Sequence, residues 1–352
     1  MATCTTDLRT TWLKAARFDH PDGIPVNFAI NGSCWFHYQQ EELARLMTAH
    51  PRLFPDGPPT LPHRPWLGAN TVADHPCTDR WGCRWTTTMD GIVGTVTGHP
   101  LPGFNGAEAW SPPDAANGDS FTARDWSRLP AEVTARRAAG RPTVLGLEHG
   151  HTFLRLCDLV GYEAAIIAMA EDDPRLGLVL EGIEAFNARL VAGFVAARPD
   201  AVGFPEDLGM QVGPMLSPGH FRRYILPSYR RLIEPVRAAG LPVHMHSDGD
   251  IRRLAGDLIS GGVEVLNLQD LVNGLDWIAA NLMGRVCIDL DLDRQRITPF
   301  GTPAEIHAHV QVVLDTLSDP AGGLMLTYGL YPGVPLANVE ALMDALEDVA
   351  AC

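Results

Sequence analysis

Short apolar segments alternate with helix-length segments along most of the sequence, and this alternation constrains the fold more than any other feature. Strands that alternate with helices in this way form parallel sheets covered by helices. We expect an eighth strand between residues 67 and 85. The pattern therefore predicts a (β/α)8 TIM barrel formed as a single domain by residues 1–352. The seven strands that the pattern predicts cover residues 24–32, 142–148, 201–205, 241–246, 263–268, 285–288 and 323–327.

Polar side chains follow most of these predicted strands. In a (β/α)8 barrel, catalytic residues collect at the face where the strands end. One charged residue after a strand is ordinary turn chemistry, but a ring of such residues from several strands predicts a functional site at that face. The polar residues at strand ends are Glu148, His149, His151, Glu206, Asp207, His246, Asp248, Gln269, Asp270 and Asp289.

The segment 241–250 carries the densest group of these residues. Strand alternation places His244 and His246 on one face, and Asp248 and Asp250 follow at the end of the strand. Two imidazoles followed by carboxylates can bind a metal or move protons. Alternatively, one histidine belongs to the core and the aspartates only shape the turn. The polar residues at neighbouring strand ends favour the functional interpretation.

Residues 66–120 interrupt the alternation. Residues 78–96 have the composition of a β-hairpin, and residues 100–117 are rich in proline and glycine. We expect this region to form a hairpin and loop excursion over the mouth of the barrel. Trp35, Phe36, Trp81 and Trp85 would then form an apolar wall for an aromatic or heterocyclic substrate. An equally good alternative is that the tryptophans anchor the hairpin on the barrel.

The net charge, the composition and the absence of certain motifs argue against several classes of function. The formal net charge of −15 makes nucleic acid an unfavourable partner. No segment has the length and apolarity of a membrane span or a signal peptide, so we expect a cytoplasmic protein. Lys14 is the only lysine, and it lies in a helix-like segment at residues 10–17, which argues against pyridoxal phosphate chemistry because that chemistry needs an active-site lysine. No Walker motif is present, and we expect no nucleotide cofactor.

Several motifs resemble those of the uroporphyrinogen decarboxylase (URO-D) superfamily. They are Phe-Pro-Glu-Asp-Leu-Gly at 204–209 with its continuation to residue 227, His-Ser-Asp-Gly at 246–249, Asn-Leu-Gln at 267–269, Cys-Ile-Asp at 287–289, and Tyr-Pro-Gly-Val-Pro-Leu-Ala-Asn at 331–338. Asp-Arg-Trp-Gly at 79–82 resembles a motif of the decarboxylase-like and corrinoid-linked methyltransferase branches. The resemblance implies a (β/α)8 barrel and places the chain closer to these branches than to true uroporphyrinogen decarboxylases.

Two departures from the family pattern narrow the chemistry that the resemblance implies. True porphyrinogen decarboxylases carry an Arg-Gln-Ala-Gly-Arg loop after the first strand, whereas residues 29–35 contain no arginine. The corrinoid-linked methyltransferases carry a His-x-Cys zinc motif and a distant third cysteine. In this chain His246-Ser-Asp248 occupies the position of the His-x-Cys motif, and residues 327–330 lack the later cysteine. Aspartate and histidine remain competent zinc ligands, so an oxygen and nitrogen site is expected instead.

The first functional hypothesis is metal-assisted methyl transfer from a small O- or N-methylated substrate. The resemblance implies Zn²⁺ as a candidate cofactor and a corrinoid protein as a candidate methyl acceptor. The expected metal ligands are His246, Asp248 and Asp207, with His149 as an alternative. A metal would act as a Lewis acid on the substrate heteroatom. A homodimer is a candidate assembly.

The second hypothesis is a metal-free decarboxylase or lyase that acts on a small carboxylated substrate. Asp207 would stabilise a cationic intermediate, and His246 or Tyr328 would protonate the carbanion. Arg64, Arg80 or Arg84 could hold one substrate carboxylate. An inactive barrel that serves as a scaffold is a third hypothesis, which the polar strand ends disfavour. The predicted catalytic residues are His246, Asp207, Asp248 and Tyr328, and the predicted substrate-binding residues are Trp35, Phe36, Trp81, Trp85, Glu148, His149, His151, Gln269 and Asp289.

Overall fold

The computed structural model describes residues 7–350, and a parallel β-sheet covered by helices forms its centre. Neighbouring strands in this sheet follow the order β1-β10-β9-β8-β7-β6-β5, and all of these pairs are parallel. A small antiparallel sheet has the order β2-β3-β4. The strands are β1 (Val26–Ile30), β2 (Cys77–Thr78), β3 (Arg84–Thr86), β4 (Thr95–Gly98), β5 (Val144–Gly146), β6 (Ala201–Gly203), β7 (Val243–Ser247), β8 (Val265–Gln269), β9 (Cys287–Asp291) and β10 (Leu324–Leu330).

Helices precede and follow the strands of the large sheet. A π-helical turn, Phe221–Ile225, joins α8 and α9 without a break in the helical path. No helix within residues 7–350 combines the length and the apolarity that crossing a membrane requires. The α-helices are α1 (Leu8–Ala16), α2 (Cys34–His37), α3 (Gln40–Ala49), α4 (Leu129–Ala138), α5 (Phe153–Val160), α6 (Tyr162–Glu171), α7 (Pro174–Ala197), α8 (Pro218–His220), α9 (Leu226–Ala238), α10 (Ala255–Gly261), α11 (Asp270–Asn273), α12 (Leu275–Leu282), α13 (Ile297–Phe300), α14 (Pro303–Leu317) and α15 (Leu336–Val349).

The predicted α/β architecture is confirmed. Each of the seven predicted strand segments overlaps a strand of the parallel sheet. The expected eighth strand is not found between residues 67 and 85, because the strand residues there belong to the small antiparallel sheet. In the described part of the chain, β1 pairs only with β10 and β5 only with β6. Closure of the sheet into a complete barrel, and the single domain that we expect over the whole chain, therefore stay predictions.

The parallel register aligns polar side chains on one face of the sheet. His246 on β7 lies opposite Asn267 on β8, which lies opposite Asp289 on β9. Partners in register share a face, so these three side chains stand in a row. The apolar residues between them, such as Met245 and Leu266, are fully buried on the other face against the helices.

The small sheet is tied to helix α5 by a buried ion pair. Asp79 and Arg155 are 6% and 4% exposed, and their side chains lie 3.2 Å apart. The Asp79 carboxylate also accepts hydrogen bonds from the backbone N–H of Cys83 at 2.8 Å and from Nε1 of Trp85 at 2.9 Å. Removing one partner of such a pair leaves an uncompensated charge, which costs about 3–5 kcal/mol. The predicted hairpin is thus part of a fixed three-stranded sheet, and its role as a lid stays a prediction.

A buried glutamate holds the start of helix α5, a helix that the sequence pattern did not predict. Glu206 follows β6 and is 0% exposed. Its carboxylate accepts hydrogen bonds from the backbone N–H groups of Thr152 at 2.8 Å and Leu154 at 3.0 Å, and from the Tyr229 hydroxyl. The first N–H groups of a helix have no partner within the helix, and a carboxylate there also complements the helix dipole. Glu206 therefore joins the end of β6 to α5 and α9.

We expect Glu206→Ala to lower the free energy of unfolding by about 2–5 kcal/mol, because it leaves three buried donors unpaired and opens a cavity. Glu206→Gln should cost less, since its amide oxygen can still accept from both N–H groups. Urea denaturation followed by circular dichroism measures both values. Glu181→Ala, on an exposed position of α7, is the control and should stay within about 0.5 kcal/mol of the wild type. A Glu206→Ala effect as small as that of the control would contradict the role assigned to Glu206.

Candidate functional site

Three side chains from neighbouring strand ends converge at the C-terminal edge of the sheet. Asp207 follows β6, His149 follows β5, and His246 lies on β7, and these strands are adjacent. Oδ1 of Asp207 lies 3.2 Å from Nε2 of His149 and 3.4 Å from Nε2 of His246. One donor atom from each residue lies within 4.8 Å of the other two. Two imidazole nitrogens and a carboxylate oxygen can hold a metal ion or share a proton.

The imidazole of His246 is fixed in orientation by Asn267. Its Nδ1 contacts Oδ1 of Asn267, and the amide nitrogen of Asn267 donates to the backbone carbonyl of Asp289 at 2.7 Å. Because an amide oxygen can only accept, Nδ1 of His246 must carry the proton. Nε2 is therefore the atom that His246 presents to Asp207. Such support of the second ring nitrogen is typical of histidines that bind metals.

The charges of the cluster shift the pKa values of two of its groups. Burial acts to lower the pKa of His246, but the hydrogen bond to Asp207 and the charge of Asp248 outweigh burial and raise this pKa to about 9. Burial acts to raise the pKa of Asp207, but hydrogen bonds from His149 and His246 outweigh burial and hold this pKa well below its usual range. In the absence of a metal, His246 is thus an imidazolium beside an ionised carboxylate at neutral pH.

Asp248, a predicted metal ligand, lies at the rim of the cluster. Its carboxylate is 3.7 Å from Nε2 of His246 and accepts a hydrogen bond from Nη2 of Arg294 at 3.2 Å. The three-donor group contains His149 instead of Asp248. The reason is the path of the chain after β7, which turns the Asp248 side chain towards Arg294. Asp248 therefore lies outside the three-donor group, and its role as a metal ligand stays a prediction.

Arg294 and Asp291 extend the site, and the sequence pattern did not single them out. Nη2 of Arg294 lies 2.6 Å from Oδ2 of Asp291, and its guanidinium stacks over the ring of Tyr331, 5.5 Å from its centre. Burial raises the pKa of Asp291 to about 7 although Arg294 acts to lower it. Arg294 also borders a cavity of about 280 Å³. Its place shortly after β9, at the same edge as the other strand ends, was the available signal.

His151, predicted to bind substrate, lies in the interior. Glu148, with the same predicted role, is only partly buried, and 25% of its side chain is exposed. The Glu148 carboxylate accepts hydrogen bonds from the backbone N–H of Ser120 at 3.0 Å and from its hydroxyl at 2.5 Å. His151 is 2% exposed, and its ring contacts Tyr229. Burial lowers the pKa of His151 to about 3, so this histidine stays neutral. Both residues contact neighbouring loops and helices, and their role in binding substrate stays a prediction.

Tyr328, predicted as a proton donor, is buried and borders the same cavity as Arg294. It is 1% exposed, and its hydroxyl donates to Oγ1 of Thr298 at 3.1 Å. Burial raises its pKa to about 12. Its catalytic role stays a prediction.

Gln269 and Asp289, predicted to bind substrate, lie next to the cluster and support its neighbours. Oε1 of Gln269 accepts a hydrogen bond from the backbone N–H of Gly249 at 3.0 Å, in the turn after β7. The Asp289 carboxylate contacts Nε2 of His244 at 2.8 Å and accepts from the Thr327 hydroxyl at 2.7 Å. His244 is thus held one strand repeat below His246, within the sheet interior.

The predicted aromatic wall is mostly buried. Trp35 and Trp81 are 6% and 4% exposed, and Nε1 of Trp81 donates to the Ser120 hydroxyl at 3.0 Å. Trp85 is bound to Asp79 within the anchor of the small sheet. The contacts of Trp81 and Trp85 favour the alternative interpretation, in which the tryptophans are anchors, and the substrate-binding role of the wall stays a prediction. Phe36, at 54% exposure, is the one member of the predicted wall with a largely exposed ring.

Comparisons with known proteins identify related sequences. The family described as Uroporphyrinogen decarboxylase (URO-D) matches residues 131–349. A uroporphyrinogen decarboxylase of Thermus thermophilus is 33% identical over 138 residues, which cover 39% of each chain. A uroporphyrinogen decarboxylase of Syntrophotalea carbinolica is 28% identical over 141 residues, 38% of each chain. These matches span about two fifths of the length of both relatives.

A solved structure shares the fold over nearly the whole chain. The methyltransferase from Methanosarcina mazei is 18% identical, with a TM-score of 0.68 over 97% of this chain and 98% of the other. At this identity the likeness shows a common fold. Because the family match covers more than half of the sequence and includes every residue of the three-donor cluster, the chain belongs to the uroporphyrinogen decarboxylase (URO-D) family.

Proposed function

We propose that this protein transfers a methyl group from a small O- or N-methylated molecule, with a metal ion held by His149, Asp207 and His246. The observation that carries the proposal is the convergence of their three donor atoms within 4.8 Å. Three nitrogen and oxygen ligands are typical of catalytic zinc sites, which keep a fourth position for water or substrate. The half-exposed His149 side chain leaves the cluster accessible from solvent.

The residues of the cluster fit a divalent metal. Asn267 holds the Nδ1 proton of His246, so loss of the Nε2 proton leaves a lone pair directed at the cluster. Asp207 is ionised, as a ligand must be. A bound Zn²⁺ would supply a Lewis acid that stabilises the negative charge on the departing oxygen or nitrogen.

Other residues of the chain would position the substrate and the acceptor. Asp248 and Arg294 form a charged rim beside the cluster, and Phe36 offers an apolar surface at the end of β1. In the proposed reaction the carbon–heteroatom bond breaks, its electron pair stays on the heteroatom, and the methyl group bonds to a nucleophilic acceptor. We propose a corrinoid carrier protein as that acceptor. The fold shared with a methyltransferase supports this class of reaction.

A metal-free decarboxylase acting on a small carboxylated substrate is the second candidate. The pKa of about 9 makes His246 an imidazolium at neutral pH, which could protonate a carbanion beside the ionised Asp207. The arginines count against it. Arg294 is already paired with Asp248 and Asp291, and Nη1 of Arg80 donates to the backbone carbonyls of residues 117 and 119. The absence of arginine from residues 29–35 counts further against uroporphyrinogen as the substrate.

We expect the purified protein to bind one Zn²⁺ per chain and to release a proton on binding. Since the pKa of His246 is about 9, most molecules carry its Nε2 proton at pH 7, and the apparent affinity should rise as the pH increases towards 9. Calorimetric titration of metal-free protein in two buffers of different ionisation enthalpy measures the affinity and the released proton. His149→Ala should weaken binding, whereas Asp276→Ala, on an exposed helix position, should not. Equal affinity in both variants would contradict the proposed ligand set.

We expect His246→Ala to fold normally and to lose about 10²–10⁴-fold in turnover, because both proposed chemistries need its ring. His244→Ala should mainly reduce stability, since it removes the partner of buried Asp289. A panel of methyl ethers and N-methylamines with a reduced corrinoid measures methyl transfer, and release of carbon dioxide from carboxylated analogues measures the second candidate. Near-normal turnover by His246→Ala would overturn both candidates. Efficient turnover of uroporphyrinogen by the wild type would overturn the proposed substrate class.

A further inference from the structure

We propose that an arginine-lined groove at the N-terminal edge of the parallel sheet binds a compact organic diphosphate. The residues that border the groove directly precede β6, β7, β8 and β9. The strands are parallel, so the groove lies at the edge opposite to the metal-site cluster. It is therefore a second site, independent of the proposed methyl transfer.

The groove consists of two adjoining cavities. The first has a volume of about 280 Å³, and α1, α4 and the loop before β6 contribute the arginines that line it. The second has a volume of about 580 Å³ and shares Arg17, Gly240 and Leu241 with the first. Volumes of this size accommodate a small ligand. The arginines are Arg9, Arg17, Arg137 and Arg198 in the first cavity, and Arg17, Arg237 and Arg285 in the second.

Positive charge is in excess in the groove. Asp200 lines the first cavity, and its buried carboxylate accepts a hydrogen bond from Nε of Arg9 at 2.7 Å and from the backbone N–H of Thr143 at 3.0 Å. Arg137 lies 3.9 Å from the same carboxylate. Four arginines and one aspartate give the first cavity a net charge of +3.

The other arginines of the groove have no acidic partner in the described part of the chain. Within residues 7–350, Arg17, Arg198, Arg237 and Arg285 form no ion pair with a carboxylate. Glu264 lines the second cavity, but its carboxylate accepts a hydrogen bond from a backbone N–H of β7 at 3.2 Å. Arginines gathered around a concavity repel one another, and this cost is recovered when an anion binds between them.

The charge and shape of the groove select the class of anion. Guanidinium groups bind phosphate oxygens in pairs, and a diphosphate group carries about three negative charges near neutral pH. The net charge of +3 in the first cavity balances these negative charges. Phe18, Ile259 and Val286 line the second cavity and provide an apolar surface for the organic part of the ligand. The net charge of −15 opposes the approach of a long polyanion, so a compact ligand is favoured over nucleic acid.

Calorimetric titration with inorganic pyrophosphate and with adenosine diphosphate, at one fixed salt concentration, tests the proposal. We expect saturable binding of both, and tighter binding of adenosine diphosphate because it adds apolar contact. The double variant Arg17→Ala/Arg198→Ala should weaken binding at least about tenfold, because each lost charge-assisted hydrogen bond is worth a factor of this size or more. Arg230→Ala, which removes an exposed arginine of α9 outside the groove, is the matched control and should bind as the wild type does.

Two further measurements distinguish binding in the groove from binding at the metal cluster and from a loss of folding in the double variant. His246→Ala should keep its affinity for pyrophosphate, which shows that the anion does not bind at the metal cluster. The double variant should melt at the same temperature as the wild type or higher in low salt, because like charges have been removed. Absence of saturable pyrophosphate binding, or equal weakening in Arg230→Ala, would overturn the proposal. Binding of citrate as tight as that of pyrophosphate, with the same loss in the double variant, would overturn the diphosphate assignment.

Discussion

Parallel pairing of β5 to β9 is the constraint on which the rest of the structure depends. Parallel strands end at the same edge of a sheet, so residues that are far apart in sequence meet there. The register sets His246 beside Asn267 and fixes the face on which both lie. A slip of one residue would turn His246 to the opposite face and separate it from Asp207. The geometry of the cluster is thus a consequence of backbone pairing before any side-chain contact is considered.

The residues that follow β6 show how one strand end serves both stability and chemistry. Glu206 is fully buried and receives hydrogen bonds from the start of α5 and from Tyr229, whereas the next residue, Asp207, faces His149 and His246. Successive residues in extended backbone point in opposite directions. The carboxylate of Glu206 therefore holds the helix, and the carboxylate of Asp207 at the C-terminal edge of the sheet is available for metal or proton chemistry. The hydrogen bonds of Glu206 fix the backbone next to Asp207 and so help to hold the Asp207 side chain in position.

The two edges of the sheet carry different groups of ionisable side chains. At the C-terminal edge, the carboxylates of Asp207, Asp248 and Asp291 lie beside imidazoles and Arg294, and the three-donor group there is the proposed metal site. At the N-terminal edge, six arginines line a groove with two acidic residues, which suits an anion. The sheet lies between the two groups of charged side chains. The electrostatic potential close to one edge is therefore set by the charges at that edge. The formal net charge of −15 describes the whole chain and does not show that its two edges differ.

The sequence by itself determined the alternation of strands and helices and the edge at which polar side chains gather, because both follow from apolar periodicity and from strand ends. Only the tertiary structure decided which of those polar side chains point into the site. His149 completes the three-donor group, Asp248 turns to Arg294, and Tyr328 packs into the core. The physical reason is that a sequence pattern reports position along a strand. The direction of a side chain after the strand ends depends on the path of the loop and on the partners that other elements bring to it.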